Sequence, residues 1–391
     1  MKKGIVLLGF LLVCQSVGAM GLFKSRAPEP EPPVQSPTEP PTATPDPDPI
    51  GSTPTEPDPI GSTPTDFLEV ADEVGSEVDS YFGNYGALSE YRVETHEASS
   101  DYCEVDLDGY NNFSQRISYF VESQLENTRT HLSGLAPYYG VPYENDDHLL
   151  SGLAQRPLCH STSSSLSKTL KKSSRVPSTA VIKKLNVFEN KVNTLREKML
   201  EGDEESRIQL VKTWSKFFSC LAYTESLSTA DTSSSRKVAA KYESDNYRKP
   251  AGVKFYEDPY QDEASKLNIG LFQFTPNGGG NINPCLKSWN NNYPSCTVGT
   301  GSSKSKLIEV FGSAYQTMNA FCGVNKVVQT FSIQRNSSKS TAIHPSNSSV
   351  SKADRCVSPW IYSGYAYNHF GPLMNSTGSN LNKLISCVNA D

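Results

Sequence analysis

A chain of 391 residues with 36 Lys and Arg against 42 Asp and Glu carries a formal net charge of −6, and the excess is unevenly placed. Eight acidic residues and no basic one fall within 27–66, four basic residues fall within 1–26, and residues 67–391 are left at −2. A body so close to neutral has no basic field for nucleic acid, which excludes that class of partner. At the N-terminus, Met1-Lys2-Lys3 is a short basic start and Ile5 to Val13 an apolar stretch too short to span a bilayer. Val17-Gly18-Ala19 supplies small residues where a signal peptidase cuts. Residues 1–19 therefore read as an export signal, and the mature protein as periplasmic or secreted. The competing reading is a lipoprotein signal with Cys14 as the lipidated residue; Val13 before it is bulkier than the small residue such signals take. No other stretch is a transmembrane candidate, so no integral membrane span is expected.

Residues 20–66 read as a disordered linker rich in Pro, Thr and acidic residues, including a repeat in which Pro47 to Thr55 recurs as Pro57 to Thr65. Such a composition has too little apolar surface to offset its conformational entropy and serves as an extended tether. Residues 67–205 read as a helical N-terminal region. Phe113, Ile117, Phe120, Val121, Leu125 and Leu132 mark one helix, and Val181, Leu185, Phe188, Val192, Leu195 and Met199 a second, stopped by Gly202. The second seam has coiled-coil spacing, but packing on its own domain, as a monomer, is the preferred reading. The Ser- and Lys-rich stretch His160 to Ser174 reads as an exposed loop.

From residue 206 the pattern changes. Ile208, Val211, Trp214, Phe218, Leu221 and Ala222 give the buried face of a helix that runs into Glu225-Ser226. The end of a helix presents unpaired carbonyls and a partial negative charge, both of which disfavour a second negative charge. Glu225 is thus expected to hold its proton more tightly than a free side chain, as a general acid for glycoside cleavage must. A long polar connection, Ser228 to Lys266, leads to Gly270-Leu271-Phe272-Gln273-Phe274. Gly270, lacking a side chain, would let a sugar ring approach the backbone, and Gln273 would offer amide donors and acceptors. Leu307, Val310, Phe311, Ala314, Met318 and Phe321 mark a further helix. Ala366-Tyr367-Asn368 lies in an aromatic run, Trp360, Tyr362, Tyr365, Tyr367 and Phe370, suited to stacking on pyranose rings.

Nine cysteines are present, and setting Cys14 aside leaves Cys103, Cys159, Cys220, Cys285, Cys296, Cys322, Cys356 and Cys387. An even number in an exported chain reads as a disulfide framework, with Cys285 and Cys296, bracketing the polar stretch Leu286 to Ser295, the first pair to expect. Zinc is not indicated: Cys-x-x-Cys and His-Glu-x-x-His are both missing, and neither metal nor organic cofactor is implied. A Cys/His peptidase would need a free thiol, which the even count argues against.

The three strings, in this order, resemble the lysozyme-like superfamily, above all soluble lytic transglycosylases and goose-type lysozymes, where the pattern runs Glu-Ser, Gly-Leu-Met-Gln, Ala-Tyr-Asn-x-Gly. The resemblance covers roughly 206–391. It implies an α+β, mainly helical catalytic domain with a small β element, disulfide-stabilised and preceded by the helical region. It also implies an exported enzyme that cuts the β-1,4 glycan strand of peptidoglycan, with Glu225 as catalytic acid and Ser226, Gly270, Gln273, Tyr367 and Asn368 at the substrate. Tyr367 would orient Glu225 and Asn368 would shape the groove floor. This chain departs from the pattern in Phe272, which replaces Met, in His369-Phe370 before Gly371, and in the span from Glu225 to Gly270, about twice the family's usual separation. A transglycosylase acts with one acid, whereas a hydrolase generally adds a second carboxylate; Glu243, Asp245, Asp258 and Asp262 in the insert are the candidates. Carboxylates bordering a groove would also favour glycan with free, cationic amines, that is, a deacetylated wall. A chitosanase-like glycosidase and a non-catalytic wall-binding protein of the same fold are the alternatives.

Overall fold

The computed structural model describes residues 64–83, 86–90, 105, 107, 109–126, 153–154, 156–169, 176–228, 233–234, 236–237, 256–257, 267–268, 270–274, 282–299, 302–311, 316–331, 334–339, 343, 349–360, 373 and 379–391. The chain divides into two units, Met1–Asp58 and Pro59–Asp391, and every described residue belongs to the second. That unit is mainly helical.

Among its described residues the helices are α1 (Pro64–Phe82), α2 (Phe113–Glu126), α3 (Ser163–Thr169), α4 (Thr179–Leu200), α5 (Glu204–Ala222), α6 (Ile282–Asn292), α7 (Lys304–Glu309), α8 (Gln316–Thr330) and α9 (Ser379–Val388). Helix α5 is the axis of the fold. Leu210, Val211, Trp214, Phe217, Phe218, Leu221 and Ala222 are all fully buried, and Ser215, Ser219 and Cys220 fill the gaps between them. A helix apolar on nearly every side has to be enclosed, and α1, α2, α4, α8 and α9 all pack against it. Phe188 of α4 meets it twice, edge-on to Trp214 at 5.5 Å and stacked on Phe217 at 5.4 Å. Its few charged positions bond outward: Lys212 reaches Glu73 at 2.6 Å, and Lys216 reaches Glu77 at 2.6 Å, both on α1. At its start Glu204 and Glu205 complement the helix dipole, and Ser206 Oγ donates to Asp203 Oδ2 at 2.6 Å. The stretch before residue 206 thus shares one continuous core with the stretch after it.

The two helices expected in 67–205 are present as α2 and α4, although Leu132 lies outside the described residues. Helix α4 is capped by Ser178, whose hydroxyl accepts from Val181 N, and Gly202 at φ +94 follows its end. His160 to Ser174 is not simply a loop. Thr162 and Ser165 exchange bonds (Thr162 N to Ser165 Oγ 2.7 Å, Ser165 N to Thr162 Oγ1 3.0 Å), which starts α3 and buries Leu166. The helix read through Leu307 and Phe321 is covered by α7 and α8, with 312–315 outside the described residues. Among the described residues strand structure is slight. Strand β1 (Tyr256–Glu257) pairs antiparallel with β2 (Leu267–Asn268), β3 (Arg335–Asn336) pairs antiparallel with β4 (Arg355–Cys356), and Leu158 bridges Val357 in parallel.

Among the described residues, three disulfides join distant elements: Cys159–Cys356, Cys220–Cys387 and Cys285–Cys322. The expected Cys285–Cys296 pair is corrected: Cys285 joins α6 to α8, and Cys296 is disulfide-bonded elsewhere. The polar stretch taken for a loop is helical to Asn292, and a rise of ~1.5 Å per residue carries the chain about 10 Å beyond Cys285 before it turns. The turn is then held by Trp289 Nε1, which donates to Cys296 O at 2.7 Å. Among the described residues no helix is long and apolar enough to cross a membrane.

Cys220–Cys387 closes a loop of sequence separation 167 between the central helix and α9. Replacing both cysteines by serine is expected to lower stability by roughly 2–5 kcal/mol, read as a fall in the denaturant midpoint.

Candidate functional site

Helix α5 does not stop at Glu225 but widens there. Tyr223–Leu227 form a π turn, closed by Ser228 N donating to Tyr223 O at 2.9 Å. The local cause is a run of hydroxyls. Thr224 Oγ1 donates to Cys220 O at 2.7 Å, Ser226 Oγ to Ala222 O at 2.8 Å, and Ser228 Oγ to Thr224 O at 3.2 Å. Hydroxyls that back-bond to carbonyls one turn earlier compete with the amide ladder and loosen it, and a π turn accommodates the extra residue. Glu225 sits at the middle of this turn, between buried Thr224 and buried Ser226, half-buried itself and with Oε1 shielded from water.

The base of the turn is rigidly held. Tyr223 stacks on Phe82 of α1 with centroids 4.3 Å apart and planes 5° from parallel. The Cys220–Cys387 bridge lies less than one turn before it. Ser226, expected at the substrate, is fully buried and its hydroxyl is engaged with its own helix.

The Gly270 string forms a tight turn on α8. Gly270 has φ +77, a region open to glycine. A Cβ there would lie 2.0 Å from Asn319 Nδ2 and 2.3 Å from Phe311 O, two atoms that are themselves bonded at 2.6 Å. The missing side chain is therefore demanded by the protein's own packing. Gln273, at φ 50 and buried, donates from both its backbone N and its Nε2 to Gly270 O, at 3.2 and 3.1 Å. Phe272, in the place where the resembled pattern has Met, lays its ring against Gly323 of α8, where a Cβ would come within 2.2 Å of it. Phe274 meets Phe311 at 5.2 Å. Gly270 and Gln273 are thus brought together by direct bonds, on α8, which in turn packs on α5.

Tyr367 and Asn368, and the candidate second carboxylates Glu243, Asp245, Asp258 and Asp262, lie outside the described residues. Among the described residues no cluster of three or more His, Cys, Asp or Glu side chains could hold a metal ion.

One carboxylate escaped the reading of the sequence. Glu189 of α4 is buried, and its oxygens accept from Ser161 N at 2.7 Å, from Ser161 Oγ, and from Trp360 Nε1 at 2.9 Å. Burial pushes its pKa up to about 7 against the pull of those three donors. The sequence held a signal: Glu189 falls four residues after Leu185 and three before Val192, on the apolar seam itself, where an acid is out of place.

Comparison with protein-family models, with curated proteins and with solved structures finds no match for this chain.

Gly270→Ala should destabilise the protein by about 1–2 kcal/mol from the left-handed backbone alone. The contacts with Asn319 and the Phe311 carbonyl add to that, because backbone cannot move aside as a flexible side chain can. Chemical denaturation of the variant against the parent measures the loss.

Proposed function

We propose that this protein is an exported glycosidase of lysozyme-like fold that cleaves the β-1,4 glycan strand of peptidoglycan, with Glu225 protonating the leaving oxygen. The observation that supports this most is the setting of Glu225. It occupies a hydroxyl-widened turn at the end of an enclosed helix, half-buried, with one carboxyl oxygen shielded from water. Turns of this type recur at functional sites, and a sheltered carboxylic acid is what acetal cleavage at neutral pH requires. The string Glu225-Ser226, the Gly270 turn and the Ala366-Tyr367-Asn368 string follow in the order of the resembled families. Three disulfides joining distant elements suit an oxidising compartment outside the cytoplasm.

The cut proceeds either by transglycosylation, the sugar's own hydroxyl closing an anhydro ring, or by hydrolysis with a second carboxylate from the 228–266 connection. A wall-binding protein without activity is the second reading. It is favoured by Gly270 and Gln273, whose free space and amide protons are taken up by the protein's own turn.

Glu225→Gln separates the two. The expected outcome is loss of muropeptide release by at least two orders of magnitude with wall sedimentation retained, a general acid contributing ~10²–10⁴-fold; unchanged release would overturn the assignment. Mass spectra of the products, read for anhydro against reducing ends, then distinguish transglycosylase from hydrolase. Faster turnover on N-deacetylated than on acetylated peptidoglycan is the further expectation from the acidic connection, and a preference for acetylated strands would remove it.

A further inference from the structure

Glu189 lies where three segments meet. Helix α4 carries it, Ser161 belongs to the segment leading into α3, and Trp360 belongs to the segment that follows β4. The last two segments are also joined to each other, by the Cys159–Cys356 disulfide, by Cys159 N donating to Val357 O at 2.8 Å, and by Val357 N donating to Pro157 O at 2.9 Å. Asn193, one turn further along α4, holds Leu158 from both sides, its Oδ1 accepting from Leu158 N at 2.7 Å and its Nδ2 donating to Leu158 O at 2.9 Å. Trp360 is fully buried against Phe188 and Phe217. The two amide–backbone bonds do not titrate. The carboxylate does.

We propose that Glu189 is a proton-operated clamp, whose protonation state sets how firmly α4 grips the 157–161 and 355–360 segments. Burial favours the neutral form, and the three donors oppose it. A protonated Glu189 can turn its O–H to Ser161 Oγ while its oxygens still accept from Ser161 N and Trp360 Nε1. The ionised form accepts from the same three groups but leaves a charge in the core with no cation facing it among the described residues. Of the charged and titratable groups on the packed elements, Cys159 is in a disulfide and His160 is exposed. Arg355 directs its guanidinium to Val350 O and Gln334. On α5, Lys212 and Lys216 bond Glu73 and Glu77, Lys383 of α9 is exposed, and on α4 Lys184 reaches Ser386 and Lys183 and Lys191 face outward. Burial displaces its pKa upward from 4.5 to about 7, against the pull of the Ser161 and Trp360 donors.

The sign follows from linkage. The folded state holds the proton more tightly than the unfolded one, so the clamp's contribution is complete below pH 4.5 and is lost as the pH rises to about 7. A bond from the titrating carboxyl to the Trp360 indole makes the event visible in fluorescence. The full chain, excited at the indole band across a pH range of about 5 to 9, should show a one-proton emission change centred near 7. That change should vanish in Trp360→Phe, which keeps Trp214 and Trp289. In Ser161→Ala, which removes one donor that favours the ionised form while leaving the aromatic packing in place, the midpoint should move to higher pH. Flat emission in the parent, a change that survives unaltered in Trp360→Phe, or a Ser161→Ala midpoint that stays or falls would each overturn the proposal. The parent and Ser161→Ala suffice if Trp360→Phe does not fold. None of these readouts depends on the glycosidase reading, so either can fail alone.

Discussion

The enclosure of α5 is the constraint on which the rest of the structure depends. A helix carrying Trp214, Phe217, Phe218 and Leu221 with nearly every face buried cannot be covered by a single neighbour. It forces α1, α2, α4, α8 and α9 into a ring around it, drawn from both ends of the described sequence. The long-range bonds follow that geometry. The lysines of α5 reach back to α1, Cys220 reaches forward to α9, and Phe188 of α4 wedges between its aromatics. Such a ring fixes the helix axis, and therefore fixes where the helix ends.

That end is where the packing rule is relaxed. Along α5, serines sit between large apolar side chains, but from Thr224 onward hydroxyls alternate along the chain and each returns a bond to the preceding turn. The result is a widened coil with its base fixed by the Tyr223–Phe82 stack and the Cys220–Cys387 bridge. Rigid support beneath a locally irregular turn is the arrangement that holds one side chain at a defined place while sparing it from the core.

How much of this could be read from the residues depends on whether the deciding contact is local. The seams of α4 and α5 were legible because burial repeats with the helical period, and Gly202 marked the end of α4 as a glycine in the left-handed region does. Gly270 was recognisable as special, yet its partners, Asn319 and Phe311, are remote in sequence, so its cause could not be seen. The expected Cys285–Cys296 pairing differs from the structure for a local reason: Leu286 to Asn292 is polar enough for a loop, but Leu286 and Trp289 give it one apolar face, and that face makes a helix of it. The hydroxyls at 224, 226 and 228 were in plain view as well. Their spacing foretells competition with the backbone, but not that the competition resolves as a π turn rather than a stop.

Glu189 and Glu225 show how one residue type takes two roles from two surroundings. Both lie on or at the end of a helix against the same core, and both have oxygens withdrawn from water. Glu189 is fully enclosed and its two oxygens are met by Ser161 and Trp360, so a substrate oxygen would have to displace a backbone amide or an indole to reach its proton. That cost rules it out as a general acid, whatever its affinity for the proton. Glu225 keeps part of its surface in solvent while one oxygen stays sheltered. A carboxyl so placed is partly sheltered and can still be approached. Accessibility, more than proton affinity, is what makes Glu225 the residue to test as the acid.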